Sequence, residues 1–112
     1  MAAFRPAEHI RRRADFERVY DRGVRVRGRY STLFVLPTSA DFARLGIAAT
    51  KKLGGSVVRN RAKRLIREVF RRNKVSGGFD VVVVPKRELL DASLTALEAD
   101  YHRSLALAAR RR

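Results

Sequence analysis

Apolar side chains recur at three- and four-residue intervals in three parts of the chain, and this spacing predicts three helices. The intervals run over residues 14–23, 56–72 and 93–109. Gly23 is the last residue of the first segment and is expected to end the helix, because glycine is favoured just past a helix. Ser56 is the first residue of the second segment and is the expected N-cap, since a serine hydroxyl accepts from free N–H groups of the first turn.

Between these segments the apolar pattern is extended rather than helical. A period of two predicts a strand over 25–37, with a shorter strand at 24–26 before it, and a further strand over 43–50 that pairs antiparallel with its predecessor. The run FDVVVVP at 79–85 is apolar on both sides and predicts a strand buried in the middle of a sheet. The order of elements is typical of an α+β fold, a small sandwich of helices on a mixed sheet.

Several aromatic side chains share predicted faces. Phe16 and Tyr20 lie one helical turn apart, while Tyr30 and Phe34 lie on one face of the strand at 25–37. Such rings can line a groove and stack on the bases of single-stranded RNA, although half-buried rings at this spacing are also common in ordinary cores. Both interpretations stay open at this stage. The remaining phenylalanines of the folded region are assigned to the core: Phe42, Phe70 and Phe79.

The helix predicted over 56–72 has two chemically different sides. Its apolar side consists of Val58, Ala62, Leu65, Ile66, Val69 and Phe70, and its opposite side carries Asn60, Lys63, Arg64, Arg67 and Arg71. Arg59 and Arg61 lie on the borders. Lys51, Lys52 and two glycines precede the helix, so its free N–H groups and these cations together predict a phosphate-binding surface. The alternative is a solvated face on which Glu68 pairs with Arg64 or Arg72.

The charge of the chain favours a polyanionic partner. Lys and Arg total 26 against 11 Asp and Glu, which gives 112 residues a formal charge of +15. Folding brings these like charges together, and a nucleic acid would relieve the repulsion. The length suits one domain, 1–112, and the basic segment 1–12 is expected to be loosely ordered without a partner.

Other classes of protein fit the sequence less well. There is no cysteine for disulfides or thiolate metal sites, and no apolar run of the roughly 20 residues that span a bilayer, so we expect a cytoplasmic protein without membrane contact. The acidic residues lie on separate elements without a shared motif, which argues against metal-dependent catalysis by the chain alone. The uniformly basic helix also suits phosphates better than the selective reading of DNA base edges.

One continuous string of residues is specific enough to suggest a family. The stretch RLGIAATKKLGGSVVRNRAKRLIREVFRR, at 44–72, resembles the signature of the protein subunit of bacterial ribonuclease P. The similarity includes the Lys-Lys pair, the glycine turn, the Arg-Asn-Arg triplet and the Lys-Arg that follows. The segments RRRADFERVYDRG and FDVVVVP resemble the flanking parts of that family in type and order.

The resemblance implies a fold and a function. The implied fold is αβββαβα with a left-handed βαβ crossover, which is rare among parallel connections. The implied activity is endonucleolytic removal of the 5′ leader from precursor tRNA, carried out by a catalytic RNA with bound Mg²⁺ and assisted by the protein as a monomer within the ribonucleoprotein. The protein alone is expected to hold no metal. A small ribosomal protein that binds ribosomal RNA is the alternative.

The resemblance also implies two groups of binding residues. The surface for the catalytic RNA is carried over onto Lys51, Lys52, Arg59, Asn60, Arg61, Lys63 and Arg64, and Arg67 extends the same helix side. The cleft for the leader is carried over onto Phe16, Tyr20 and Phe34, and the strand periodicity adds Tyr30.

Overall fold

The computed structural model describes residues 6–75 and 77–111, which form a four-stranded sheet covered on both faces by helices. The helices are α1 (Arg13–Arg22), α2 (Ser56–Arg72) and α3 (Leu94–Arg110). The strands are β1 (Val24–Arg27), β2 (Ser31–Pro37), β3 (Arg44–Ile47) and β4 (Phe79–Pro85). Short 3-10 turns occupy Pro6–Glu8 and Arg87–Asp91. The predicted α+β order is therefore confirmed.

The sheet has the strand order β1-β2-β4-β3, which corrects one predicted pairing. β3 does not pair with β2; it runs parallel to β4, with Leu45 opposite Val81. β4 is antiparallel to β2 on its other side. Val81 and Val82 lie on opposite faces of the sheet, and both are fully buried. The central position gives the backbone of β4 a hydrogen-bonding strand on each side and buries its apolar side chains on both faces.

The crossover from β3 through α2 to β4 is left-handed. The side chain of Val83 in β4 lies in the core beneath α2, and its carbonyl oxygen accepts a hydrogen bond of 3.0 Å from the Ala48 N–H, directly after β3. In an upward-running strand, an L-residue whose side chain faces the viewer directs its N–H and C=O to the right. Seen from α2, β3 therefore lies to the right of β4, and the connection moves leftward in front of the sheet. This is the exceptional hand that the resemblance implies.

Alternation along the strands divides the interior into two clusters. The larger one lies under α2 and α3 and contains Leu33 and Val83, whereas the smaller one lies under α1 and contains Val19 and Val82. The predicted apolar side of α2 faces the larger cluster. Phe42 is a correction, because its side chain is 38% exposed on the loop before β3 and is not part of the core.

The beginning of α2 also differs from the prediction. Gly55, not Ser56, is the N-cap, and no side chain caps the helix; Ser56 is the first helical residue. Gly54 before it has φ +152°, a conformation that side-chain-bearing residues rarely adopt. The glycine pair therefore sets the direction of the chain into α2 and leaves the first N–H groups of the helix without side-chain partners.

The segment before α1 is more ordered than the sequence suggests. The Ile10 N–H donates a 2.9 Å hydrogen bond to the Leu45 carbonyl at the outer edge of β3, and the Ile10 side chain is buried. The buried carboxylate of Glu8 accepts from Lys74 Nζ at 2.7 and 2.8 Å. Residues 6–10 are therefore packed against the sheet, residues 1–5 lie outside the described part of the chain, and the loose order expected for 1–12 stays a prediction.

A buried ion pair joins β3 to β4. Asp80, 1% exposed, accepts hydrogen bonds of 2.9 and 2.6 Å from the guanidinium of Arg44, and these bonds raise the pKa of Arg44 above its usual value. Arg18 of α1 lies 3.8 Å from the same carboxylate. Asp80 thus links β4 to β3 and lies close to a cation of α1.

We predict that Asp80→Ala lowers the free energy of unfolding by about 3 kcal/mol, because it leaves the half-buried Arg44 with only the more distant Asp15. Urea denaturation followed by circular dichroism measures this loss. Asp91→Ala, which removes an exposed acid, is the control and should change stability by less than about 0.5 kcal/mol. Equal effects of the two substitutions would contradict the prediction.

Candidate nucleic-acid interface

Several cations on the outer side of α2 have no acidic partner among the residues that the structure describes. Arg64 and Arg67 are exposed, Lys63 is half-buried, and none of them forms a hydrogen bond or ion pair within residues 6–75 and 77–111. Lys51 and Lys52 are exposed in the turn before the helix, which is closed by a 3.0 Å bond from the Leu53 N–H to the Thr50 carbonyl. We call Lys51, Lys52, Asn60, Lys63, Arg64 and Arg67 the basic ridge.

The last turns of α2 differ sharply from the ridge. Arg71 bonds to Glu68 on the same helix, and Arg72 lies 3.7 Å from Glu98 of α3. Glu68 therefore pairs with Arg71, and the predicted pairing with Arg64 or Arg72 is wrong. Because the acidic partners lie beside the last turns of α2, the uncompensated charge lies on the part of the helix up to Arg67.

Arg59 and Arg61 are tied to the protein more than the sequence suggests. The Arg61 guanidinium donates a 3.1 Å hydrogen bond to the Leu90 carbonyl and so links α2 to the 3-10 turn Arg87–Asp91. Arg59 is half-buried, and its Nε is inaccessible to solvent without a hydrogen-bond partner in the described residues. The Arg61 side chain thus helps to fix the position of α2, whereas the buried Arg59 Nε gains no hydrogen bond from the described residues.

Three of the four predicted cleft aromatics meet on the face of the sheet that α1 covers. The rings of Tyr20 and Phe34 are 4.9 Å apart in an edge-to-face arrangement, and Phe16 follows at 6.4 Å from Tyr20. Phe16 and Phe34 are half-buried against Val82, while Tyr20 is 40% exposed. Phe16 packs directly over Gly46 of β3, where a Cβ would be 2.8 Å from the ring. We call Phe16, Tyr20 and Phe34 the aromatic cleft.

Tyr30 does not belong to this cleft. It precedes β2 and packs against the larger cluster under α2 and α3, on the opposite face of the sheet. Its N–H is held by the Asp100 carboxylate at 3.1 Å, and the Arg29 guanidinium lies 5.4 Å from the centre of its ring. Strand periodicity places Tyr30 with Phe34 only if the strand is continuous, and the turn at 28–30 breaks that continuity.

A groove of about 360 Å³ connects the basic ridge with the aromatic cleft around the outer edge of β3. Lys63 and Arg67 line one side and Phe16 lines the other, with His9 and Arg11 between them. Desolvation, with the nearby Arg11 and Arg67, lowers the pKa of His9 below its ordinary value. Sequence reasoning missed His9 and Arg11 because it treated their segment as loose.

The acidic side chains do not form a metal site in the part of the chain that the structure describes. No group of three His, Asp or Glu side chains there could hold a metal ion. Among the same residues, no helix is long and apolar enough to cross a membrane.

Comparison with known proteins identifies the family and supports the fold. The family model for ribonuclease P matches residues 4–109, which include the basic ridge and the aromatic cleft. The chain belongs to the ribonuclease P protein family. The predicted resemblance is confirmed, and with it a role in a tRNA-processing ribonuclease and an RNA partner within a ribonucleoprotein. The ribosomal alternative is not supported.

Individual relatives match most of the chain. The ribonuclease P protein component of Clostridioides difficile (strain 630) is 31% identical over 98 residues, covering 85% of this chain and 86% of its own length. That of Syntrophus aciditrophicus (strain SB) is 43% identical over 82 residues, covering 71% and 69%. The solved ribonuclease P protein from Thermotoga maritima superposes with a TM-score of 0.76 at 32% identity and covers 92% of this chain and 96% of its own.

Proposed function

We propose that this chain is the protein component of a ribonuclease P that binds the catalytic RNA subunit through the basic ridge and the 5′ leader of precursor tRNA through the aromatic cleft. The observation that carries the proposal is the separation of charge along α2. Arginines near its C-terminal end are paired with acids, whereas those of the ridge are left available to phosphates.

The ridge is suited to an RNA backbone because its cations are held by a rigid support. Ala62, Ile66 and Val69 bury one side of α2 against the sheet, and Arg61 anchors the helix to the Leu90 carbonyl. Arg64 and Arg67 can each direct a planar guanidinium at two phosphate oxygens. The free N–H groups after Gly55 add the positive end of the helix dipole beside Lys51 and Lys52.

The cleft is suited to unpaired bases. Phe16 and Phe34 are fixed by their buried edges, and Tyr20 presents an accessible ring between them. Aromatic faces of this kind stack on bases without strong sequence preference, which suits a leader whose sequence varies among precursors.

We assign bond cleavage to the RNA subunit and its Mg²⁺ ions rather than to this chain. The buried carboxylates support that assignment because they are engaged in structural contacts. Asp80 is bound by Arg44, and Asp100 accepts from the backbone N–H groups of Arg29 and Tyr30. Two-metal phosphoryl transfer requires carboxylates that converge on the ions and remain free to bind them.

Reconstitution of the protein with a bacterial ribonuclease P RNA and a precursor tRNA tests the proposal as a whole. The protein is expected to increase cleavage at low Mg²⁺, where phosphate repulsion limits the RNA alone. A second assay measures affinity for the catalytic RNA against salt, with an expected slope of log affinity on log salt of roughly −4 to −5 for about six contacts. Unchanged cleavage together with a slope near zero would contradict the proposal.

We predict that Arg64→Ala combined with Arg67→Ala weakens binding to the catalytic RNA and makes its salt slope less steep by roughly 1.4 to 1.8, because two phosphate contacts are lost. The matched control is Arg71→Ala combined with Arg72→Ala, which removes the same charge from paired positions of the same helix. If both pairs reduced the slope equally, the effect would reflect total charge and not the ridge.

We predict that Tyr20→Ala weakens binding of precursor tRNA to the reconstituted enzyme by roughly five- to a hundredfold, the range expected for losing one stacked base. The loss should disappear when the leader is shortened to about one or two nucleotides, while assembly with the catalytic RNA stays unchanged. Tyr20 is 40% exposed, so stability should change little. A loss independent of leader length would remove Tyr20 from the leader site.

A further inference from the structure

A second basic surface lies at the opposite edge of the sheet from the ridge. It is formed by exposed arginines of β1, of the following turn and of the second half of α3. These residues, which we call the β1-edge cluster, are Arg25, Arg27, Arg29, Arg103, Arg110 and Arg111. None of these arginines belongs to a site predicted from the sequence, because they are distant in the chain and follow no common motif.

Hydrogen bonds bring these distant arginines into one surface. The Arg111 guanidinium donates to the Arg25 carbonyl at 3.1 Å and so joins the end of α3 to the edge strand. Arg103 donates to Asp100 at 3.3 Å, and the same carboxylate oxygen accepts from the Arg29 N–H at 3.1 Å. The end of α3 and the turn after β1 therefore lie beside the same edge strand, and the cluster extends around the β1 edge of the sheet.

The charge of this cluster is almost uncompensated. Asp100 is the only acid within segments 24–30 and 100–111. Its side chain is 3% exposed and accepts from the Arg29 and Tyr30 N–H groups as well as from Arg103, so it does not neutralise the exposed guanidinium groups around it. The side chains of Arg25, Arg27 and Arg110 form no hydrogen bond or ion pair within the described residues. A nearby polyanion would relieve their repulsion.

The cluster is continuous with the aromatic cleft. In the antiparallel register Arg25 is the partner of Phe34, and directly paired residues direct their side chains to the same face about 5 Å apart. Val26, the neighbour of Arg25, is buried in the cluster under α2 and α3, so Arg25 and Arg27 lie on the face with α1 and the aromatic rings. The side chains of Arg25 and Arg27 therefore lie beside the aromatic cleft on the same face of the sheet.

We infer that single-stranded RNA bound in the aromatic cleft continues across the edge of β1 and that its phosphates bind the β1-edge cluster. This inference rests on the proposed leader site and extends it to the nucleotides farther from the cleavage position. The groove with His9 and Lys63 leaves the cleft at the β3 edge, and β1 is the opposite edge of the sheet. A strand that enters from the ridge side therefore leaves toward the arginines.

The test uses Arg27→Gln combined with Arg110→Gln, two exposed substitutions without internal partners. Precursor tRNAs with leaders of about 4 and about 12 nucleotides, both within the roughly 4 to 16 nucleotides that one small single-strand-binding fold covers, are titrated against the reconstituted enzyme. For the longer leader we expect weaker binding and a salt slope less steep by about 1.4, which corresponds to two single-strand phosphates. For the shorter leader we expect wild-type affinity.

Two comparisons give each outcome a definite meaning. Arg12→Gln combined with Arg87→Gln removes the same charge from exposed positions outside the ridge, the cleft and the cluster, and should leave both affinities unchanged. Tyr20→Ala reports on the cleft itself.

If Tyr20→Ala weakens binding but the arginine variant does not, the inference is wrong and the proposed leader site stands. If Tyr20→Ala has no effect on either leader, the proposed leader site fails. An equal loss for both leaders, or a loss of affinity for the catalytic RNA, also overturns the inference.

Discussion

Burial of β4 on both faces is the constraint on which the rest of the molecule depends. Val81, Val82 and Val83 are almost completely inaccessible to solvent, so the sheet must be covered on two sides by a short chain. α1 covers one side and brings the aromatic rings over the sheet, while α2 and α3 cover the other and direct cations outward. Both proposed RNA-binding surfaces are thus consequences of covering one central strand.

The positions of the acidic residues decide which of the many cations are available to bind RNA. A formal charge of +15 does not by itself define a site, because basic side chains occur along the whole chain. Asp80 and Glu8 are buried with a basic partner each, and Glu68 and Glu98 lie beside the arginines at the end of α2. Among the described residues, the cations without an internal partner include Lys63, Arg64 and Arg67 of α2 and Arg25 and Arg27 of β1. The internal ion pairs therefore shape the binding surface by leaving these regions uncompensated.

The secondary structure was largely predictable because it depends on local spacing. The two-sided pattern of α2, the doubly apolar run of β4 and the stop at Gly23 each reflect interactions within a few residues. One error arose where distant residues compete, and another arose from local backbone geometry. β3 pairs with β4 instead of β2, since the buried central strand gains a second neighbour. Gly55 is the N-cap in place of Ser56, and its backbone sets the turn into α2.

The sequence by itself determined the family, the order of helices and strands, the basic side of α2 and the pairing of Phe16 with Tyr20, because all of these are encoded within short segments. Only the tertiary structure decided which side chains share a surface. It separated Tyr30 from Phe34, anchored Arg61 on Leu90, packed His9 beside the cleft and placed the end of α3 against β1. The physical reason is that these contacts join residues far apart in the chain, so they follow from the packing of whole elements and leave no local pattern.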